Sequence, residues 1–247
     1  MIRAVLSLVS FVVATFLLAT LGALSGLFDR SGETVLKLAR LWSRVLLAVP
    51  GVKLEVVQHA PLDRKRPYIV MANHASMIDI WAVFLAVPVS LRFIAKKQLG
   101  AIPLFGWAMQ AGRFIFIDRQ NAASARRSIA EASRRIGAGQ SVVIFPEGTR
   151  TRDGRLNPFK KGGFHLALDS GADIVPVAIH GSRALMPRGS ALIRSGTVRV
   201  EIGAPIPTAG LPASDRDALA SRVRGTIAAM LGEPPAEDVT SKGREAG

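Results

Sequence analysis

The sequence has no cysteine. That excludes disulfides, thiolate metal sites and a cysteine nucleophile, and it leaves the redox compartment open. Acidic residues are scarce: 18 Asp and Glu stand against 32 Lys and Arg, for a formal net charge of +14 and an isoelectric point near 11.3. A surplus of that size calls for an anionic partner, and nucleic acid, an anionic membrane surface or a phosphorylated substrate would each satisfy it. Nucleic acid fits poorly, because the few aromatic residues do not interleave with the basic ones as base stacking favours. The chain also lacks a Gly-x-Ser-x-Gly elbow, a P-loop and a His-Glu-x-x-His motif. Serine hydrolases, nucleotide hydrolases and zinc proteases therefore lack their signals.

What is present begins with an apolar run. From Ala4 to Phe28, "AVLSLVSFVVATFLLATLGALSGLF", there is no charged residue. A bilayer span needs about 20 apolar residues, whereas the apolar region of a signal peptide is roughly 7 to 15 long, so an anchor is the better reading. Next comes "ETVLKLARLWSRVLLAV", Glu33 to Val49, with Lys37, Arg40 and Arg44 set among leucines, Trp42 and Val45. A basic amphipathic helix of this kind can lie in a membrane interface or pack on a domain core, and periodicity does not separate the two. Cations are richer after the apolar run than before it. If the run spans, the following domain is expected on the cytoplasmic side, which in a bacterium is that of the inner membrane.

After Pro50 and Gly51, short β-branched runs alternate with longer helical ones. Strands are predicted at Val52–Val57, Tyr68–Ala72, Arg92–Ala95, Arg113–Ile117, Ser141–Phe145, Ile174–Ile179 and Val198–Ile202. The clearest helix is "NAASARRSIAEASRRIGAG", with Asn121 or Ser124 as cap and Gly137 or Gly139 as stop, and a last helix is expected over about Ser214 to Leu231. The pattern predicts an α/β fold, a central mostly parallel or mixed sheet flanked by helices, with an N-terminal membrane-associated helical segment. Pro176 is expected to confine its strand to an edge or a bulge. The organisation expected is a hydrophobic anchor and amphipathic helix in residues 1–50, one catalytic domain in 51–232, and a disordered tail in 233–247.

Polar residues at strand ends are the candidates for chemistry, since that is where α/β sheets place their sites. In "MANHASMIDI", His74 and Asp79 are five apart. On one continuous helix they would point about 140° from each other, so they can meet only if His74 stands before the first turn. Ser76 as N-cap permits that. A His–Asp pair would make a general base, but Asp79 could instead serve only as a helix cap, and spacing leaves both open. "GRFIFIDR" delivers Arg119 to a strand end, where it could bind phosphate or form an ordinary ion pair. "FPEGTR" places Glu147, Gly148, Thr149 and Arg150 after a hydrophobic strand, and Gly148 would let a ligand approach the backbone. "NPFKKGGF" puts Lys160 and Lys161 before a short helix, as an anion site or a solvated basic loop. His59, His165 and His180 show no metal-ligand spacing and are read as structural, so no metal is expected.

Taken together, "NHASMID", "GRFIFIDR", "FPEGTR" and "IVPVAI" resemble, in order and spacing, the four blocks of the membrane-bound glycerolipid acyltransferases, and in particular the 1-acyl-sn-glycerol-3-phosphate acyltransferases. The resemblance covers about Tyr68 to Ile179. It implies transfer of a fatty acyl group from acyl-CoA or acyl-carrier protein to the sn-2 hydroxyl of 1-acyl-sn-glycerol-3-phosphate, lysophosphatidic acid, giving phosphatidic acid. It makes His74 and Asp79 the catalytic pair and Arg119 and Arg150, with Lys160 or Lys161, the binders of the acceptor's phosphate. Glu147 would orient an arginine or the glycerol, and Gly148 and Thr149 would line the same pocket. No cofactor or metal is implied beyond the acyl donor. Another acceptor, such as glycerol-3-phosphate, a lyso-ornithine lipid or another lysophospholipid, remains open, as does a non-catalytic protein that binds anionic lipid.

Overall fold

A computed structural model describes residues 2–118 and 122–233. The chain opens with helix α1 (Ile2–Ser25) and helix α2 (Glu33–Ala48). The order then runs β1 (Val52–Gln58), β2 (Ile69–Ala72), α3 (Ile78–Ala86), β3 (Leu91–Lys96), α4 (Phe105–Ala111), β4 (Ile115–Ile117) and α5 (Ala122–Gly137). It continues through β5 (Ser141–Ile144), α6 (Gly162–Ser170), β6 (Ile174–His180), α7 (Ser182–Leu185), β7 (Gly196–Ile202) and α8 (Arg216–Leu231). The seven strands form one sheet in the order β1-β7-β6-β2-β5-β3-β4, and every neighbouring pair is parallel except β6 with β7.

The middle of the sheet is buried on both faces because its strands alternate between two cores. Val70 and Ala72 of β2 face a core shared with α2 and α3, while Ile69 and Met71 face one built with α5, α6 and α8. A strand covered on both sides must be apolar at every position, which is why "YIVMA" reads as a continuous run. Helix α2 belongs to the first core through Val35, Leu36, Leu46 and Leu47. Arg40 is used internally as well, donating to the carbonyls of Phe84 (3.2 Å) and Val89 (2.8 Å) at the end of α3. Of the two readings of this amphipathic segment, packing on the core is the one the structure takes. Helix α1 lies against α2 and α4: Trp42 Nε1 donates to Thr15 Oγ1 at 3.0 Å, and Gly22 and Gly26 bring the backbone close to Ala108 and Ala111. Its other side, including Val5, Leu8, Val12 and Phe16, is exposed. By length and composition α1 could cross a membrane.

Three details differ from the sequence expectation. The strand predicted from Arg113 begins at Ile115, because Arg113 takes a left-handed φ of 58° as it closes helix α4. Strand β6 is interior, between β7 and β2. Pro176 is tolerated because one extra residue intrudes on the strand beside it: Val177 faces Ile202 but Ile174 faces Ile206. The ladder is broken at that point, and the donor that proline lacks is not needed. Glu233, the first residue of the expected tail, is held in the fold, accepting the Leu156 amide at 3.1 Å. The rest of that tail, and the Asn121 cap, lie outside the described residues.

Candidate active site

The parallel strands β2, β5, β3 and β4 point their C-terminal ends to one edge of the sheet, where His74, Asp79 and the Glu147–Arg150 turn lie. At the end of β2, Asn73 stands in for a further rung of the sheet. Its amide donates to the Ile179 carbonyl (3.0 Å) and accepts the Ile179 amide (2.7 Å). That fixes the chain just before His74.

His74 lies four residues before α3 begins, as a meeting with Asp79 requires. Its Nδ1 is 2.9 Å from Asp79 Oδ2. The same oxygen accepts the amides of Ala75 and Ser76, each at 2.7 Å. Cap and dyad are therefore one arrangement rather than alternatives: Asp79 organises the turn ahead of α3 and holds the imidazole with a single oxygen. Ser76 sits one residue ahead of the cap position, accepting the Ile78 amide and donating to the Met186 carbonyl at 2.8 Å. Asp79 is fully buried, and its Oδ1 has no partner among the described residues. An ionised carboxylate that takes three donors on one oxygen must receive a proton from Nδ1, so the acceptor lone pair of the neutral ring is on Nε2. The ring also stacks on Phe145 at the end of β5, with centroids 4.0 Å apart and planes 15° from parallel.

Glu147 holds the other end of the same residue. Its Oε1 accepts the His74 backbone amide at 2.7 Å, and Oε2 accepts both the amide (3.0 Å) and the side chain (2.8 Å) of Asn157. Burial pushes its carboxyl above the ordinary glutamate value, and the bonds from His74 and Asn157 only partly offset that. Among the described residues, the Glu147 oxygens meet no arginine: one holds the loop that carries His74 and the other holds Asn157. The opposite strand of that clamp is closed by the Thr151 amide, which donates to the His74 carbonyl at 2.8 Å.

Next along the chain from Glu147, which holds the His74 amide, Gly148 and Thr149 line a cleft of about 410 Å³ together with Lys96, Gln98, Ile117, Asp118 and Lys160. Gly148 has a φ of 73°, and a Cβ there would come within 2.7 Å of the Lys160 side chain, so only glycine lets that lysine lie across the turn. The two lysines separate: Lys160 lines the cleft, while Lys161 points to Asp217 at the start of α8, 3.4 Å away. Arg150 is half-buried and has no carboxylate within ion-pair distance among the described residues. Arg119 lies outside the described residues, although Asp118 before it reaches the cleft. Lys96 was not singled out by the sequence; its place at the end of β3, in "IAKKQ", is the signal that could have found it. The other histidines serve structure: His59 and His180 both approach the buried Glu201, each at 3.2 Å, and His165 meets Arg216. Among the described residues no three metal-ligating side chains come together.

The Acyltransferase family profile matches residues 53–180. A chloroplastic 1-acyl-sn-glycerol-3-phosphate acyltransferase of Brassica napus is 34% identical over 78% of this chain and 55% of its own length. The 1-acyl-sn-glycerol-3-phosphate acyltransferase beta of Homo sapiens is 33% identical over 78% of this chain and 71% of its own. The chain thus spans about half the length of the plant relatives it matches. The crystal structure of the 1-acyl-sn-glycerophosphate acyltransferase of Thermotoga maritima superposes with a TM-score of 0.76 and 26% identity, covering 96% of this chain and 98% of that one. With the sheet, the matched span and the four blocks in agreement, this chain belongs to the acyltransferase family.

Proposed function

We propose that this chain transfers a fatty acyl group from a thioester, acyl-CoA or acyl-carrier protein, to the sn-2 hydroxyl of 1-acyl-sn-glycerol-3-phosphate, forming phosphatidic acid. The observation that carries the reading is the His74–Asp79 pair at 2.9 Å, linked through Glu147 to a cleft lined by Lys96 and Lys160. The acceptor hydroxyl would give its proton to His74 Nε2 as its oxygen attacks the thioester carbonyl. Asp79, buried and with one oxygen unpartnered, stabilises the imidazolium that forms. The carbon–sulfur bond then breaks, and the imidazolium returns the proton to the departing sulfur. No acyl-enzyme is required. The acceptor's phosphate would sit against Lys160 and the Gly148–Thr149 turn, with Arg150 and Arg119 as further cations and Lys161 outside the pocket. A general base supplies typically 10²- to 10⁴-fold, so positioning by these cations must supply much of the rest.

Helix α1 supports membrane association, and its packing on Trp42 and Ala108 supports an anchor that is part of the folded protein rather than a removed leader. The cations that follow the apolar run favour a catalytic domain on the cytoplasmic side. The test is thiol release from acyl-CoA and from acyl-carrier protein by membrane-inserted protein, across a panel of lysophosphatidic acid, glycerol-3-phosphate and phosphate-free lysolipids. We expect release that depends on lysophosphatidic acid and is abolished by His74→Ala with the melting temperature kept. No release with either donor would sink the reading; equal rates with phosphate-free acceptors would remove the roles given to Lys160 and Arg150.

A further inference from the structure

Two clefts flank His74, and the acceptor accounts for one. Strand β2 lies between β6 and β5, so the loop carrying His74 has the Lys160 cleft on its β5 side and a smaller cleft of about 190 Å³ on its β6 side. Asn73 and Ala75, the neighbours of His74, line this second cleft together with His180, Ser182, Arg183 and one acid, Glu233, whose carboxylate accepts the Leu156 amide. The Ser182 hydroxyl is buried, with 1% of the residue exposed, and makes no hydrogen bond among the described residues. A buried polar group left without a partner is costly, and a ligand oxygen reaching it would recover that cost.

At the rim of the cleft, helix α7 carries Arg183 and the segment after it Arg188, and backbone carbonyls rather than acids brace both guanidinium groups. Arg183 donates to the Arg152 carbonyl from Nε (3.2 Å) and from its terminal nitrogen (2.9 Å), and Arg188 reaches the Arg150 carbonyl at 3.4 Å. Arg152, Arg183 and Arg188 are exposed, and among the described residues none has a carboxylate within ion-pair distance. Guanidinium groups held in place with their charge unspent are suited to forked binding of phosphate.

We infer that this second cleft and its arginine rim seat the phosphate groups of coenzyme A's 3′-phospho-ADP, the carrier half of the acyl donor. The inference rests on the acyl-transfer reading and assigns its second substrate a side. The thioester carbon must lie between the incoming hydroxyl and the departing sulfur, so a donor entering from the β6 side meets an acceptor held on the β5 side without crossing it. Concavity favours a nucleotide over a carrier protein: a phosphate or ribose oxygen can reach the Ser182 hydroxyl, whereas carboxylates on a convex protein surface cannot.

The test titrates coenzyme A and 3′-dephospho-coenzyme A, neither acylated, onto the full chain in detergent, for the unaltered protein and for Arg152→Ala, Arg183→Ala and Arg188→Ala. Coenzyme A should bind about tenfold more tightly than the dephospho form, and the arginine variants should bring the two within about twofold, as loss of a charge-assisted phosphate contact predicts. Equal binding of the two forms by the unaltered protein, or a gap that survives all three variants, overturns the inference. Should Arg183→Ala unfold because Arg183 braces the Arg152 loop, Arg188→Ala, with one long bond to lose, still decides. Turnover is followed in parallel. A higher KM for acyl-CoA with an unmoved KM for lysophosphatidic acid supports the site. A higher KM for acyl-carrier protein alone makes the rim a protein-docking surface and overturns it. Coenzyme A binding that responds to the arginines in a protein without transferase activity would keep this site and discard the acyl-transfer reading.

Discussion

Asp79 and Glu147 are both buried carboxylates, and both bond to His74, yet they hold opposite ends of it. Asp79 takes the ring at Nδ1, and Glu147 takes the backbone amide. Asp79 comes from the helix that follows the histidine, Glu147 from a turn at the end of a neighbouring strand. The difference separates chemistry from placement: one carboxylate sets which nitrogen is basic, the other sets where that nitrogen stands. Neither role can be exchanged for the other, and variants at each should fail in different observables.

The largest effect is expected at Asp79. Asparagine's oxygen can still accept Nδ1–H and the Ala75 and Ser76 amides, but it carries no charge to stabilise the imidazolium, and its NH2 would take the place of the unpartnered Oδ1. Asp79→Asn should therefore lower kcat by about 10³-fold or more while the melting temperature changes little. Full activity with a lowered melting temperature would return Asp79 to a cap alone. Glu147→Ala should show the converse emphasis. It orphans the His74 amide and the Asn157 donors, at about 1–3 kcal/mol for each buried group left unpaired, so denaturation should register the loss first and kcat should fall with it. A variant with unchanged stability and a raised acceptor KM would make Glu147 a substrate ligand instead.

The lysines sharpen the contrast at smaller scale. Lys160→Ala should raise the KM for lysophosphatidic acid by about tenfold, as loss of a charge-assisted contact would, whereas Lys161→Ala, facing Asp217, should stay within about twofold. Equal effects would undo the division between them. The smallest effect is a pH slope. Burial raises the Glu147 carboxyl above its ordinary 4.5, so the folded state binds its proton more readily than the unfolded chain does. That stabilisation is fully present below the unfolded value and is lost as pH rises through the raised folded one. Unfolding midpoints measured upward from pH 4 should fall in this window and flatten in Glu147→Gln; identical slopes would show that the proton is not linked.

The positions of the seven strands were legible because each is short, apolar and bounded by turn residues. The dyad's geometry was also readable, since five residues across a strand-to-helix turn is a local relation. What spacing could not supply were pairings across the sheet. Asn73 meets Ile179 across a sequence separation of 106, and Glu147 meets the His74 amide across one of 73. Lys160 and Lys161 are adjacent in sequence and diverge only because a helix starts between the cleft and α8. Pro176 limited β6 to an edge or a bulge without choosing between them, because the extra residue on the facing strand that makes the bulge is invisible until the two are side by side.

The Phe145 ring beneath His74 has a kinetic consequence. An imidazole tethered at Nδ1 and stacked face to face at 4.0 Å has no room to turn over between steps. The nitrogen that accepts the alcohol's hydrogen is then the one that must release it to sulfur, so alcohol and thiol share a single port. In the direct transfer proposed above, with no acyl-enzyme, both substrates must be in place at that port before either product leaves, so the turnover is expected to be sequential through a ternary complex. Intersecting rather than parallel double-reciprocal plots would be its signature.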